Sequence, residues 1–163
     1  MKRFGIFNTL FLVGLLQISS VFASEKVAMD LIKYVNQELH NIAAIEKKSL
    51  EQYASVIGEN YTTDDRVYNA LNNEVIPMYN RFFMLLKEIS PKTVEVRELH
   101  QIYVRAAASM NEGFKMKKLG LEMKDDSVIK RGNHRIEKGR NGIERWKEQL
   151  TVLCNENGVT QEK

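Results

Sequence analysis

The stretch IKRGNHRIEKGRNGIERWKEQL, residues 129–150, decides how the chain is read. Ile129, Gly132, Ile136, Gly139, Ile143, Trp146 and Leu150, followed by Leu153, recur at alternating steps of three and four. That rhythm is one face of a helix packing on a neighbour at about 20°. Gly132, Gly139 and Gly142 lie inside the helix, where each costs about 1 kcal/mol relative to alanine. Gly132 and Gly139 fall on the stripe itself, with Gly142 beside it. A seam position without a side chain either admits a neighbouring backbone or receives a large side chain. Close packing of interiors favours an aromatic knob here, with Phe82, Phe83, Tyr103 and Phe114 as donors on other segments.

Outward from this stretch, the same reading divides the chain into four helical segments. The first spans about Glu25 to Ile57 and stops at Gly58. The second follows Thr62-Thr63-Asp64-Asp65, where a hydroxyl caps free N–H groups and two acids suit the positive end of the dipole. Its stripe is Leu71, Val75, Met78, Phe82, Leu85 and Ile89, and Pro77 should kink it. Ser90-Pro91 opens the third, with Pro at the first helical position and a stripe of Val96, Leu99, Tyr103, Ala106 and Met110. Lys124-Asp125-Asp126-Ser127 makes the last turn, the fourth helix runs from about Ser127 to Asn155, and residues 157–163 read as a polar tail. Short turns between long helices imply an all-α, antiparallel up-down-up-down four-helix bundle over residues 24–156.

Residues 1–23 read as a secretory signal peptide. Lys2 and Arg3 precede an apolar run from Phe4 to Ile18, and small residues close a Val21-Phe22-Ala23 site. The run is shorter than the roughly 20 residues needed to span a bilayer and contains Asn8, Thr9 and Gln17. The mature chain, with no transmembrane segment, is therefore expected to be exported, either periplasmic or secreted. Its single cysteine, Cys154, cannot form an intramolecular disulfide, so stability must come from packing.

One interior layer stands out. On the first helix Glu46 falls at the centre of the stripe formed by Val35, Leu39, Ile42, Leu50, Tyr53 and Ile57. A carboxylate there is costly unless it is paired, hydrogen-bonded or protonated. Folding the chain at each turn places Glu46 opposite Glu74, then near Ala106-Ala107-Ala108, then near Gly139 and Gly142. Two uses follow. In one, Glu46 and Glu74 accept hydrogen bonds from Arg105, Arg140, Arg135, Tyr79 or His100 and fix the register of the bundle. In the other, Glu46, Glu74, His100, Tyr103, Gly139 and Gly142 bind a small cationic ligand between helices.

Other chemistries find little support. A ferritin-like metal centre needs Glu-x-x-His on two helices, whereas His40 follows Gln37, His100 follows Arg97 and His134 follows Arg131. Covalent haem needs Cys-x-x-Cys-His, which one cysteine cannot supply. No nucleophile elbow, His-Glu-x-x-His or phosphate loop occurs. No catalytic residue, metal or cofactor is assigned, and a cation- or metal-binding bundle is the most distant reading.

Charge is distributed unevenly. Ser24–Asn111 holds 10 Lys/Arg against 12 Asp/Glu, whereas Lys115–Lys147 holds 11 against 5. Lys130, Arg131, Arg135, Lys138 and Arg145 form a candidate basic face for an anionic envelope component or an acidic protein. Nucleic acid is disfavoured by export and by the lack of aromatics interleaved with the charges. The expectation is thus an exported, non-enzymatic helical bundle acting as a binding or interaction module of the envelope.

Overall fold

The computed structural model of the protein describes residues 16–18 and 25–161. Residues 1–15 and 19–24, including the expected cleavage site Val21-Phe22-Ala23, lie outside the described residues, as do 162 and 163. The described chain is all-α apart from one pair of three-residue strands, β1 (Leu16–Ile18) and β2 (Val159–Gln161), which run antiparallel. β2 falls in the segment expected to be a polar tail, and Val159 is buried there.

Four helical rods carry the core. The first comprises α1 (Glu25–Lys33), a π-helical turn (Tyr34–Leu39) and α2 (His40–Ala54). Glycine ends it as expected, since Gly58 adopts φ +61°, which disfavours any side chain. The second comprises α3 (Asp64–Ala70), another π turn (Leu71–Val75) and α4 (Ile76–Glu88). Thr63 caps α3 by accepting the Arg66 N–H at 3.2 Å. The third and fourth rods are continuous helices, α5 (Val94–Met123) and α6 (Asp126–Glu156).

Pro77 is accommodated by a change of helix type. Lacking an N–H, it cannot satisfy the carbonyl four residues back. The turn before it widens, so that the Ile76 N–H bonds the Leu71 carbonyl five residues back. The buried stripe shifts as a result to Leu71, Val75, Tyr79, Phe82 and Leu86, while Met78 and Leu85 are only half-buried.

The start of α5 also differs from expectation. Ser90 and Pro91 stay in the turn, and the helix begins at Val94. The reason lies in the first rod, where the buried Asp30 carboxylate accepts the Thr93 N–H at 2.7 Å and its hydroxyl at 2.8 Å. Within the expected turn of residues 124–127, Asp125 caps α6. Its carboxylate accepts from the Ser127 hydroxyl and from the N–H groups of Ser127 and Val128, which hold it below the usual carboxylate range.

The glycine seam is filled by backbone, not by aromatic knobs. A methyl group placed on Gly132 would lie 2.6 Å from the Lys117 backbone nitrogen. One on Gly120 would lie 2.6 Å from the Ile129 nitrogen, and one on Gly139 2.8 Å from the Ala106 carbonyl oxygen. Gly142 meets the Ala106 side chain, and Gly113 meets Ile136 and the Gly132 carbonyl. These contacts run in opposite directions along α5 and α6, and only Lys124 and Asp125 lie between the two helices. Lys124 takes the left-handed conformation at φ 54° to make that reversal.

Candidate functional site

Glu46 is buried at the centre of the first rod's stripe, as its sequence position indicates. Its Oε2 accepts the Tyr103 hydroxyl proton at 2.6 Å, and its Oε1 has no hydrogen-bond partner among the described residues. Burial pushes this carboxyl up to about 7, against the opposing pull of the Tyr103 hydrogen bond and the Lys147 charge. Burial and the neighbouring Glu46 charge together raise the Tyr103 phenol well above its ordinary value.

The rest of the layer is aromatic. The Tyr103 ring stacks on Trp146 with centroids 4.5 Å apart and planes 24° apart, and it tilts against Phe82 at 6.0 Å. Tyr79 crosses edge-on to Phe82 and Phe114 and donates its hydroxyl to the Met110 sulphur at 3.4 Å. On its other side the Trp146 indole acts on the Tyr34 hydroxyl, favouring its ionised form against the stronger effect of burial. Tyr34 Oη lies 3.2 Å from His100 Nδ1. His100 also hydrogen-bonds the Leu86 carbonyl, which leaves Nδ1 to accept from Tyr34. Burial lowers the His100 pKa; the Glu38 charge and the Leu86 carbonyl oppose that shift.

Sequence reasoning placed Glu46 and Tyr103 together, and they touch. Glu74, by contrast, is exposed and does not share the layer. Ser49 donates to the Val75 carbonyl at 2.9 Å, which sets the heights of the two rods. Glu46 therefore lies about one turn beyond Glu74, near Tyr79, and Leu71 and Val75 are the residues of that turn that are buried. His100 is buried beside Tyr34 rather than beside Glu46. Gly139 and Gly142 are pressed against α5. Arg135 pairs with Glu112 and Arg140 with Glu137 at the surface, Tyr79 donates to Met110, and the hydrogen bond to Glu46 comes from Tyr103, which is not among the expected donors. Trp146 is visible in the sequence as a seam residue, but folding the chain at each turn puts Gly139 and Gly142 at the height of Glu46, so its role as the wall behind Tyr103 is not.

Lys130, Arg131, Arg135, Lys138 and Arg145 are all exposed. Arg131, Lys138 and Arg145 recur every seventh residue on α6, a stripe about 21 Å long. On the opposite flank Glu137 holds Arg140 and Glu144 holds Lys147, each at 3.0 Å, and Glu148 is exposed. Among the described residues, no carboxylate lies within 4.0 Å of Lys130, Arg131, Lys138 or Arg145. Lys117, counted with the basic half of the sequence, does not join the stripe. Its ammonium donates to the Tyr53 hydroxyl at 3.0 Å and sits over that ring, and burial pushes it down to about 8.

Cys154 is buried and its thiol is pushed up to about 11, which suits an inert packing residue. Among the described residues no three His, Cys, Asp or Glu side chains gather as a metal site would require, and no helix is long and apolar enough to cross a membrane. Comparisons with protein-family models, with curated protein sequences and with solved structures return no match.

Proposed function

We propose that the protein is an exported, non-enzymatic module that binds an anionic component of the cell envelope through the basic stripe of α6. In this reading residues 1–23, β1 included, are a signal peptide removed after Ala23, and the mature chain works in the periplasm or outside the cell as an up-down-up-down four-helix bundle with β2 left unpaired. The opposed course of α5 and α6 and the contacts of Ser49 with Val75, Glu46 with Tyr103 and Tyr79 with Met110 support that topology.

The observation that carries the function is the heptad-spaced row of Arg131, Lys138 and Arg145, exposed and with no carboxylate within 4.0 Å among the described residues, while Glu137 and Glu144 pair with Arg140 and Lys147. Such a row concentrates positive potential along one line and attracts extended polyanions or anionic surfaces. The reading favours this face over an interior carrier site, because Tyr103 and Trp146 stack in the layer that a cationic guest would need.

Co-sedimentation with vesicles provides the test. Vesicles rich in anionic lipid should retain the protein at low ionic strength and release it as salt rises, and zwitterionic vesicles should not retain it. The triple variant Arg131→Glu, Lys138→Glu, Arg145→Glu should fold and lose retention. Equal binding by the triple variant, or binding indifferent to salt, would refute the assignment.

A further inference from the structure

A second feature lies on the first rod, away from the α6 stripe. A trough of about 610 Å³ runs between α1 and the turn that leads into α5. That volume falls within the roughly 300–1,000 Å³ of small-molecule sites. Met29 and Ile32 supply its apolar surface, and Met29 is 61% exposed, a large thioether left facing solvent. Lys26, Lys33 and Lys92 stand around it. Lysine stems extend an apolar surface while keeping their ammonium groups in water.

The charges around the trough are not balanced. Its one acid, Asp30, is buried and turned to Thr93, with its carboxylate engaged by the N–H and hydroxyl there. Lys33 is paired with Glu38 at 2.6 Å. Lys26 and Lys92 have no carboxylate within 4.0 Å among the described residues. Lys92 also adjoins the start of α5, where the helix dipole adds positive potential.

We propose that this trough binds a single-chain anionic amphiphile, of which a fatty-acid carboxylate is the simplest form. Its tail lies along Met29 and Ile32, and its head is held by Lys26 and Lys92. A peptide fits less well, because its backbone N–H and C=O groups would need partners that a mainly apolar lining does not supply. A cationic head would meet lysines, and an uncharged one would leave them unused.

Titration calorimetry with dodecanoate, dodecanol and dodecylammonium, each below its micellar concentration, tests the proposal. Dodecanoate should bind one per chain and saturate, at least tenfold more tightly than the other two. The exposed-site variants Lys26→Glu with Lys92→Glu, and Met29→Glu, should each keep the wild-type circular dichroism and lose at least tenfold in dodecanoate affinity. The triple α6 variant should bind dodecanoate normally, which separates this site from the envelope-binding face. Equal affinity for all three amphiphiles, non-saturating uptake, binding only to anionic vesicles, or binding unchanged by both trough variants would overturn it.

Discussion

The first two rods and the last two solve the same packing problem in opposite ways. α5 and α6 are unbroken helices of 30 and 31 residues that meet backbone to backbone along Gly113, Gly120, Gly132 and Gly139. The first two rods each contain a π turn and fill the space between helices with large groups, including Tyr34, Tyr79 and the carboxyl of Glu46. The difference teaches that glycine within α5 and α6 serves proximity, and that the buried carboxyl comes from the half whose rods carry π turns. One seam tolerates no added atom. The other holds a titratable group.

Replacing Gly132 with valine presses hardest on the comparison. Its Cβ would collide with the Lys117 backbone, which cannot rotate away, and the helices must part. The expected loss is about 3 kcal/mol, near the upper end for overpacked sites, read as a shift of the urea midpoint. Gly58→Ala supplies the contrast. Nothing lies within 4 Å of that position, so only its φ of +61° is strained, at a cost of about 1 kcal/mol. Equal losses for the two variants would abolish the distinction between glycine for proximity and glycine for conformation.

The Glu46 carboxyl gives a comparable effect with a definite sign. Its folded pKa of about 7 lies above its ordinary value of 4.5, so the folded state binds the proton more tightly than the unfolded chain does. Stability from this group is complete below about pH 4.5 and is lost as pH rises through 7, by up to about 3 kcal/mol. Glu46→Gln keeps an oxygen for Tyr103 and removes the titration, so its melting temperature should decline less than that of the wild type between pH 4.5 and 8. Parallel pH profiles would show that the aromatic layer does not hold the carboxyl away from water.

A smaller effect tests the register between the first two rods. Ser49→Ala removes the donor to the Val75 carbonyl and should cost about 1 kcal/mol. No loss would mean that packing alone aligns the two π-containing rods.

The legible parts of the molecule follow the same division. The α6 seam was readable nearly residue by residue: Gly132, Ile136, Gly139, Ile143, Trp146 and Leu150 are all buried, because an unbroken helix keeps a constant phase. Beyond Pro77 the expected stripe drifted by one residue, since apolar spacing carries no mark of a π turn. Glu74, on the flank of a stripe that keeps Leu71 and Val75 inside, is exposed, while Glu46 is buried. Sequence identified the costly carboxylate correctly, yet its partner depended on relative heights that Ser49 and Asp30 set through a few side-chain hydrogen bonds. The aromatic wall of Trp146 also required three dimensions. The basic residues were countable from the start, but only their pairings separate the stripe from its neutralised flank.

The two-residue reversal at Lys124 and Asp125 carries a consequence for the order of assembly. From it, the contact of Gly120 with Ile129 closes a short loop, and those of Gly132 with Lys117 and Gly139 with Ala106 enclose successively longer ones. The hairpin can therefore zip outward from its turn, each step adding little closure entropy. The bond from Tyr103 to Glu46 joins residues 57 apart and must wait for the first rod to arrive. Chains rich in local contacts fold fast, so α5 and α6 form the template early, and the buried acid is sealed only when the first rod docks on it.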